Sequence, residues 1–227
     1  MRIIRSSLTA LVLAALMLTG CRSSGEFNNE TDQLVDRSRM TFQSMMSDNQ
    51  YPGLVDLASR AKAIIIAPNI IRTAFFVGGT GGNAVMLVRD ETGSWSSPAF
   101  YTIGGLGFGL QFGIQSSEIV ITVMTERGVK AIMDRRVTLG GDAGLAIGEL
   151  GKGVNAATGM GLKSDLYAFA RSEGLFAGVS LEGSVIYPRN AWNENAYGQG
   201  TKPRSILVER STQSSSQSIS NLVAAMP

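Results

Sequence analysis

The segment Gly105–Gly113, which reads GLGFGLQFG, decides the fold class of this chain. Gly105, Gly107, Gly109 and Gly113 lie two or four positions apart, so in a β-strand they would share one face. A face without side chains allows a sharp bend, another backbone segment or a ligand to come close. We interpret the spacing as a bending device rather than a ligand contact, and it predicts a curved sheet.

Strand patterns lie on both sides of this segment. Ile64–Ile66 and Glu118–Thr125 are apolar enough for buried strands, and the glycine run Gly78–Gly82 predicts a turn between strands. Apolar spacing predicts one helix from Thr31 and another from Pro52, and we expect this pair to pack on the core. Together the patterns predict an α+β fold, in which a curved, antiparallel, barrel-like sheet is flanked by N-terminal helices and a short C-terminal helix.

The first 21 residues predict export and lipidation. Arg2 and Arg5 precede a short apolar run, and Gly20 stands before Cys21, the single cysteine of the chain. Because the run is too short to span a bilayer, residues 1–20 are predicted to be a signal peptide. The tetrapeptide LTGC also resembles the lipobox of bacterial lipoproteins, which implies acylation of Cys21 by fatty acids such as palmitate. The alternative is an ordinary signal peptide with an incidental cysteine.

The remaining chain divides by composition. Residues 21–30 are polar and predict a flexible tether, residues 31–210 predict the folded domain, and the Ser/Gln-rich residues 211–227 predict a tail. Arg22 stands where many inner-membrane lipoproteins have aspartate. By that analogy we expect the inner leaflet of the outer membrane, with the domain facing the periplasm.

Composition excludes several classes of function. The chain has no histidine, which excludes Ser-His-Asp and Cys-His catalysis and His-containing zinc sites. Lys and Arg number 20 against 18 Asp and Glu, and two of the arginines lie in residues 1–20, so 18 cations face 18 anions thereafter. We therefore expect no nucleic-acid partner. No glycine run fits a nucleotide-phosphate loop, and we expect no cofactor, no metal and no catalysis.

Five sequence blocks, in order, resemble one known family. They are GSWSSPAFY (Gly93–Tyr101), GFGLQFG (Gly107–Gly113), TLGGDAGLAIG (Thr138–Gly148), SEGLFAGVSLEG (Ser172–Gly183) and the pair Tyr197-Gly198. The blocks resemble the SYLF domain, also called the Ysc84-type lipid-binding domain, over roughly residues 54–200. The resemblance implies an envelope lipoprotein that binds phospholipid without catalysis.

The resemblance also implies where lipid would bind. Basic residues near the start of the domain carry this role in the family, and here they are Arg60, Lys62 and Arg72. Gly79 stands where many members have a basic residue, which weakens the case for a strongly anionic headgroup site. The alternative is that all three are ordinary solvated surface charges. Eukaryotic members act with actin, but we expect no actin partner for an exported bacterial lipoprotein.

Two other functions stay open. The chain could be a structural or scaffolding lipoprotein that recognises a protein or glycan partner, and a large exposed apolar patch, distinct from the basic cluster, would favour this alternative. It could also be a carboxylate-dependent hydrolase, which would require two acidic side chains that converge in one pocket.

Overall fold

The computed structural model describes residues 24–140, 147–150, 164–173, 181 and 183–227 of the chain. The predicted signal peptide, Cys21, and parts of the family blocks at 138–148 and 172–183 lie outside these described residues. Within the described ranges the chain forms six helices and six strands. In chain order they are α1 (Ser24–Met46), α2 (Pro52–Arg60), β1 (Ala63–Val88), β2 (Ala99–Val123), α3 (Glu126–Asp134), β3 (Val137–Thr138), β4 (Ile147–Leu150), β5 (Leu166–Glu173), β6 (Val185–Pro188), α4 (Asn190–Tyr197), α5 (Pro203–Leu207) and α6 (Gln217–Ala224).

The six strands form one curled sheet, which confirms the predicted α+β fold with a curved, mainly antiparallel sheet. Its order is β3-β6-β2-β5-β4, and β1 also pairs with β2. The described pairs are antiparallel except β4 with β5, which run parallel. The long strand β2 is the organising element because β1, β5 and β6 all pair with it.

The long β1–β2 ribbon bends back on itself. The Nε atom of Arg72 donates a hydrogen bond of 3.2 Å to Oγ1 of Thr80, although both residues belong to β1. Eight positions of straight strand would separate them by roughly 26 Å. The bend is also tight at Gly82, where an added Cβ would lie 2.3 Å from the carbonyl oxygen of Asn69. The curvature predicted from the glycines is therefore present.

The predicted turn at Gly78–Gly82 is wrong, because β1 continues through all five residues. Gly78 lies opposite Gly107 of β2, and Gly81 lies opposite Gly104. Where glycine faces glycine neither strand contributes a side chain, so the paired ribbon can bend without breaking its ladder. The glycines act here within a strand, whereas the sequence pattern alone suggested the end of one.

The sheet separates two apolar cores. Alternate residues of β1 point to opposite sides, with Ile65 in one core and Ile64 and Ile66 in the other. The first core is closed by α3 and α5, and the second by α1, α2, α4 and α6. Ile64–Ile66 is thus a strand buried on both faces, as its continuous apolar run predicted.

The helices at the two ends differ in extent from their predictions. α1 begins at Ser24 rather than at Thr31, so it includes residues 24–30 that composition assigned to a flexible tether. α2 begins at Pro52 as predicted, and the pair packs on the core. The tail 211–227 contains α6, which buries Ile219 and Leu222. Among the described helices, none has the length and apolar character that crossing a bilayer would require.

Candidate functional site

Arg60 and Lys62, two of the three predicted lipid-binding residues, lie near the junction of α2 and β1. Nη2 of Arg60 is 2.5 Å from Oδ2 of Asp56, one turn earlier in α2. Nζ of Lys62 is 3.6 Å from Oε1 of Glu126 at the start of α3. Both cations are exposed, and each has a carboxylate beside it. The charge of each of these two cations is therefore partly balanced by a neighbouring carboxylate.

Arg72, the third predicted residue, lies elsewhere. It stands ten positions beyond Lys62 in β1, which corresponds to roughly 30 Å of straight strand. It is half-buried opposite Gln115 of β2, and its Nε atom is bound to Thr80. The structure thus brings Arg60 and Lys62 near one another but does not bring Arg72 to them. Lipid contact by any of the three stays a prediction.

A cleft of about 420 Å³ opens between α1, the bend of β1 and the start of α4. We call it the α1–α4 cleft. The charged and polar residues that line it include Glu30, Gln33 and Arg37 of α1, Asn69 and Asn83 of β1, and Arg189 and Trp192 beside the start of α4. It combines residues from three distant parts of the chain, and two of them are arginines.

Arg189 is held in a fixed position at this cleft. Its guanidinium carbon lies 3.8 Å from the ring centroid of Trp192, a cation–π distance. Its Nη1 atom donates a hydrogen bond of 2.5 Å to Oδ1 of Asn83, which also accepts one from Oγ1 of Thr102 at 3.3 Å. Because stacking and hydrogen bonding both constrain the side chain, its charge is placed before any ligand arrives.

The helix that carries Trp192 is itself anchored to β2. The buried side chain of Asn193 accepts a hydrogen bond from the Phe100 amide at 2.7 Å and donates one to the Phe100 carbonyl at 3.2 Å. The rings of Phe100 and Trp192 meet edge to face, 6.0 Å apart. The hydroxyl of Tyr197 donates to the Pro98 carbonyl at 2.7 Å, and burial raises the pKa of Tyr197 above its ordinary value. α4 is therefore a rigid wall of the cleft.

One residue of the cleft lining carries an unusual donor. The indole Nε1 of Trp192 is buried and has no hydrogen-bond partner among the described residues, although Trp192 lines the cleft and is only 6% exposed. Buried N–H groups are nearly always paired in native proteins. Arg37 is exposed on α1, and with Arg189 it gives the lining two positive charges against the one negative charge of Glu30. The described lining therefore favours an anionic ligand.

An exposed apolar surface adjoins the cleft. Ile71 lines the cleft and is 44% exposed, while Ile114 on β2 is 75% exposed. Because Thr73 pairs with Ile114 and Ile71 pairs with Ser116, all four lie on one face of the ribbon. We call this the outer ribbon face. Arg72 points to the opposite side by alternation, so it is not part of this surface.

Two arrangements that would support catalysis are a cluster of metal ligands and a pair of acids in the α1–α4 cleft. They contain no group of three or more Cys, Asp or Glu side chains placed to hold a metal ion. Glu30 is the single carboxylate in the lining of the α1–α4 cleft, as far as the chain is described. The pair of converging acids that a carboxylate-dependent hydrolase requires is therefore not found there.

Sequence reasoning missed Arg37, Arg189 and Trp192 as site residues. Arg37 follows Gln33 at helical i, i+4 spacing, which places both on one face of α1. Arg189 precedes Trp192 by three positions at the start of a short helix, a spacing that allows stacking. These signals are visible in the sequence, but nothing local connects residue 37 to residue 189.

Comparison with known proteins matches the sequence of this chain to one family. A family model named Ysc84 and described as "Las17-binding protein actin regulator" matches residues 104–226, more than half of the chain. The "SH3 domain-containing YSC84-like protein 1" of Xenopus laevis is 38% identical over 132 residues, which are 58% of this chain and 39% of that protein. The Homo sapiens protein of the same name is 35% identical over 150 residues, 66% of this chain and 44% of the relative.

A yeast relative extends the match. The "LAS seventeen-binding protein 3" of Saccharomyces cerevisiae is 34% identical over 158 residues, which are 68% of this chain and 34% of that protein. The chain therefore spans less than half the length of each of these three relatives.

Proposed function

Since the chain belongs to the Ysc84 (SYLF) family, we propose that its folded domain binds phospholipid at a membrane surface and catalyses no reaction. The family is one of binding domains rather than of enzymes. The expectations from the N-terminus complete the proposal. Acylation at Cys21 attaches the protein to the outer membrane, and the domain faces the periplasm. Attachment then has two parts, because the acyl chains insert into the bilayer while contacts of the folded domain with lipid phosphates orient it on the surface.

One observation carries the proposal, namely the exposed outer ribbon face beside a positively charged cleft. Ile71 and Ile114 expose large apolar side chains on this face. Full burial of one isoleucine contributes about 1.5–3 kcal/mol, so a membrane interface offers a substantial gain. Arg37 and Arg189 lie in the adjoining cleft, where they can meet lipid phosphates. An apolar surface beside a cationic cleft matches the membrane interface, where acyl chains lie beside phosphate headgroups.

Flotation with liposomes tests the proposal directly. The protein is produced without its first 21 residues, which removes the anchor and leaves intact the described core, none of whose buried residues precedes Thr31. We expect this protein to float with phospholipid vesicles, and more strongly with anionic ones. If it stays at the bottom of the gradient with every vesicle composition, only the anchor contacts lipid and the proposal fails.

A pair of substitutions tests the outer ribbon face. Ile114→Thr keeps a β-branched residue in the strand but removes most of its apolar surface, so we expect it to lower vesicle binding about tenfold. Val208→Thr makes a similar change at another exposed aliphatic residue, which lies just after α5 and is 50% exposed. We expect Val208→Thr to bind like the parent. Equal binding of all three proteins would place the membrane contact elsewhere.

A second candidate function is recognition of a protein partner in the envelope. The descriptions of the family and of the yeast relative name binding to Las17, a protein ligand. The outer ribbon face could meet an envelope protein or a glycan instead of a bilayer. An actin partner is not part of this proposal, because the proposed location is the bacterial envelope. Loss of partner cross-linking in Ile114→Thr without any loss of flotation would favour this second function.

A further inference from the structure

We propose that the α1–α4 cleft binds one phosphate ester group, with Arg37, Arg189 and the indole N–H of Trp192 as its contacts. The inference deepens the proposed function and rests on it for the source of the phosphate, which is a phospholipid headgroup. It assigns recognition to residues other than Arg60, Lys62 and Arg72.

The charge of the lining selects an anion. Arg37 and Arg189 line the cleft from two different elements, α1 and the start of α4. Guanidinium groups match the oxygens of phosphate in geometry as well as in charge, and they are less strongly hydrated than ammonium groups. Glu30 reduces the net charge of the lining to one positive unit. A singly charged phosphodiester balances that charge better than a dianion does.

The unpartnered donor points to a ligand acceptor. Trp192 lies in the wall of the cleft, and its buried Nε1–H lacks a partner among the residues that the structure describes. An unpaired buried donor costs free energy that folding must offset. Because this nitrogen is buried in the structure, the indole ring must shift slightly towards the cleft before a phosphate oxygen there can supply the missing acceptor. The donor and the two cations are independent observations that favour the same ligand chemistry.

The cationic group on the α4 side of the site is held in place before binding. Arg189 is stacked on Trp192 and bound to Asn83, and α4 is fixed to β2 through Asn193 and Phe100. Little side-chain entropy remains to be lost there when a ligand arrives, so a small group can bind with useful affinity.

The size and the rim of the cleft favour a lipid source. Its volume of about 420 Å³ is well above that of a phosphate ion and leaves room for the rest of a headgroup. Ile71 stands at its edge, and the outer ribbon face continues from there to Ile114. A lipid can therefore place its phosphate in the cleft while its glycerol and acyl chains pass along apolar side chains.

The two tryptophans of the chain give a direct readout. Each indole N–H gives one resonance in a ¹H–¹⁵N NMR spectrum, and a Trp95→Phe variant assigns them. Nε1 of Trp95 already donates to the Pro227 carbonyl oxygen at 2.8 Å, so its resonance serves as an internal reference. We expect glycerophosphoglycerol, a phosphodiester, to shift the Trp192 resonance in a saturable way, and sn-glycerol 3-phosphate, largely a dianion at neutral pH, to do so only at higher concentration. Acetate at equal ionic strength should leave both resonances in place.

Matched substitutions separate the cleft from general charge. Arg37→Gln removes an exposed cation of the cleft, and we expect about tenfold weaker binding of the soluble phosphate ester. Lys130→Gln removes an exposed cation on α3, outside the cleft, and should bind like the parent. Both residues are exposed, so neither change should unfold the protein, and circular dichroism checks this. The same variants are then tested by flotation with phosphatidylglycerol vesicles.

The outcomes distinguish the cleft from the proposed function. A Trp192 shift together with weaker flotation of Arg37→Gln supports the phosphate site and its lipid source. A Trp192 shift with unchanged flotation supports the site but assigns it to a soluble phosphate ester. A third outcome is that the parent floats with vesicles but its Trp192 resonance does not shift, and Arg37→Gln behaves like the parent in both the phosphate-ester titration and flotation. This outcome overturns the inference and leaves the proposed function standing. If the parent does not float with any vesicle, the proposed function is refuted. The titration with soluble phosphate esters then still shows whether the cleft binds phosphate.

Discussion

Replacing Gly82 with alanine tests the bend of the β1–β2 ribbon, on which the cleft depends. A Cβ at this position would lie 2.3 Å from the carbonyl oxygen of Asn69, 3.2 Å from its carbonyl carbon and 2.7 Å from Cδ1 of Ile70. The isoleucine methyl can rotate away, but the Asn69 carbonyl is backbone and must move by about 1 Å to reach an ordinary contact distance. Such overpacking typically costs 1–3 kcal/mol, and a backbone clash belongs at the upper end of this range.

The change also has a favourable part, because alanine restricts the unfolded chain and contributes about 0.4–1 kcal/mol of stability. The net expectation for Gly82→Ala is therefore a loss of about 2 kcal/mol in the free energy of unfolding. For a domain of this size it corresponds to a melting temperature about 4–8 °C lower. Urea denaturation followed by circular dichroism measures the same loss as a lower midpoint at constant slope.

Gly81→Ala is the matched control. Its added Cβ would have no atom within 4 Å, and the residue is the next one along the same strand. We expect it to be neutral or stabilising by up to about 1 kcal/mol. If Gly82→Ala proves as stable as Gly81→Ala, then Asn69 does not lie against Gly82, and the reasoning about the bend is refuted.

Two further predictions concern buried polar groups. Asp165 is 2% exposed and accepts hydrogen bonds of 2.6 Å from Thr125 and 2.6 Å from Arg127, so Asp165→Ala should lower the free energy of unfolding by about 2–4 kcal/mol, measured by urea denaturation. Arg127→Gln changes the 65% exposed partner and should lower it by less than about 1 kcal/mol. A larger loss in Arg127→Gln than in Asp165→Ala would contradict this account. Burial raises the pKa of Tyr197, so the folded state holds the phenol proton more tightly than the unfolded state does. The resulting stabilisation is fully present below about pH 10 and is lost as the pH rises towards the pKa of the folded state. The stability gap between the parent and Tyr197→Phe should therefore narrow above about pH 10, by up to about 1.4 kcal/mol per pH unit, and a constant gap in denaturation at pH 9 to 11 would contradict the assignment.

The local parts of the fold could be predicted because burial leaves a local pattern. The run Ile64–Ile66 is apolar without alternation, and the strand it forms is buried on both faces. Pro52 marks the first turn of α2, where its missing amide costs nothing. Such signals depend on a few neighbouring residues, and a single sequence displays them.

The bend and the cleft could not be predicted in this way. The glycine run Gly78–Gly82 has the composition of a turn, and only its pairing with the glycines of β2 keeps it in a strand. Likewise, Arg72 seemed close to Arg60 in sequence, but an extended strand carries it far from the helix end. The cleft joins Arg37 with Arg189, which are brought together by the order of elements around the sheet rather than by any local motif.

Because α1 begins at Ser24, the distance between the domain and its proposed anchor at Cys21 is limited. Only two residues separate Cys21 from Ser24, where the helix begins, and this stretch of chain reaches at most about 10 Å. Glu30, at the near end of the cleft lining, is six residues further on, which adds about 9 Å of helix. An acylated Cys21 would thus connect to the domain through a short linker. The domain could change its tilt relative to the lipid headgroups, but it could not move far from the membrane into the periplasm.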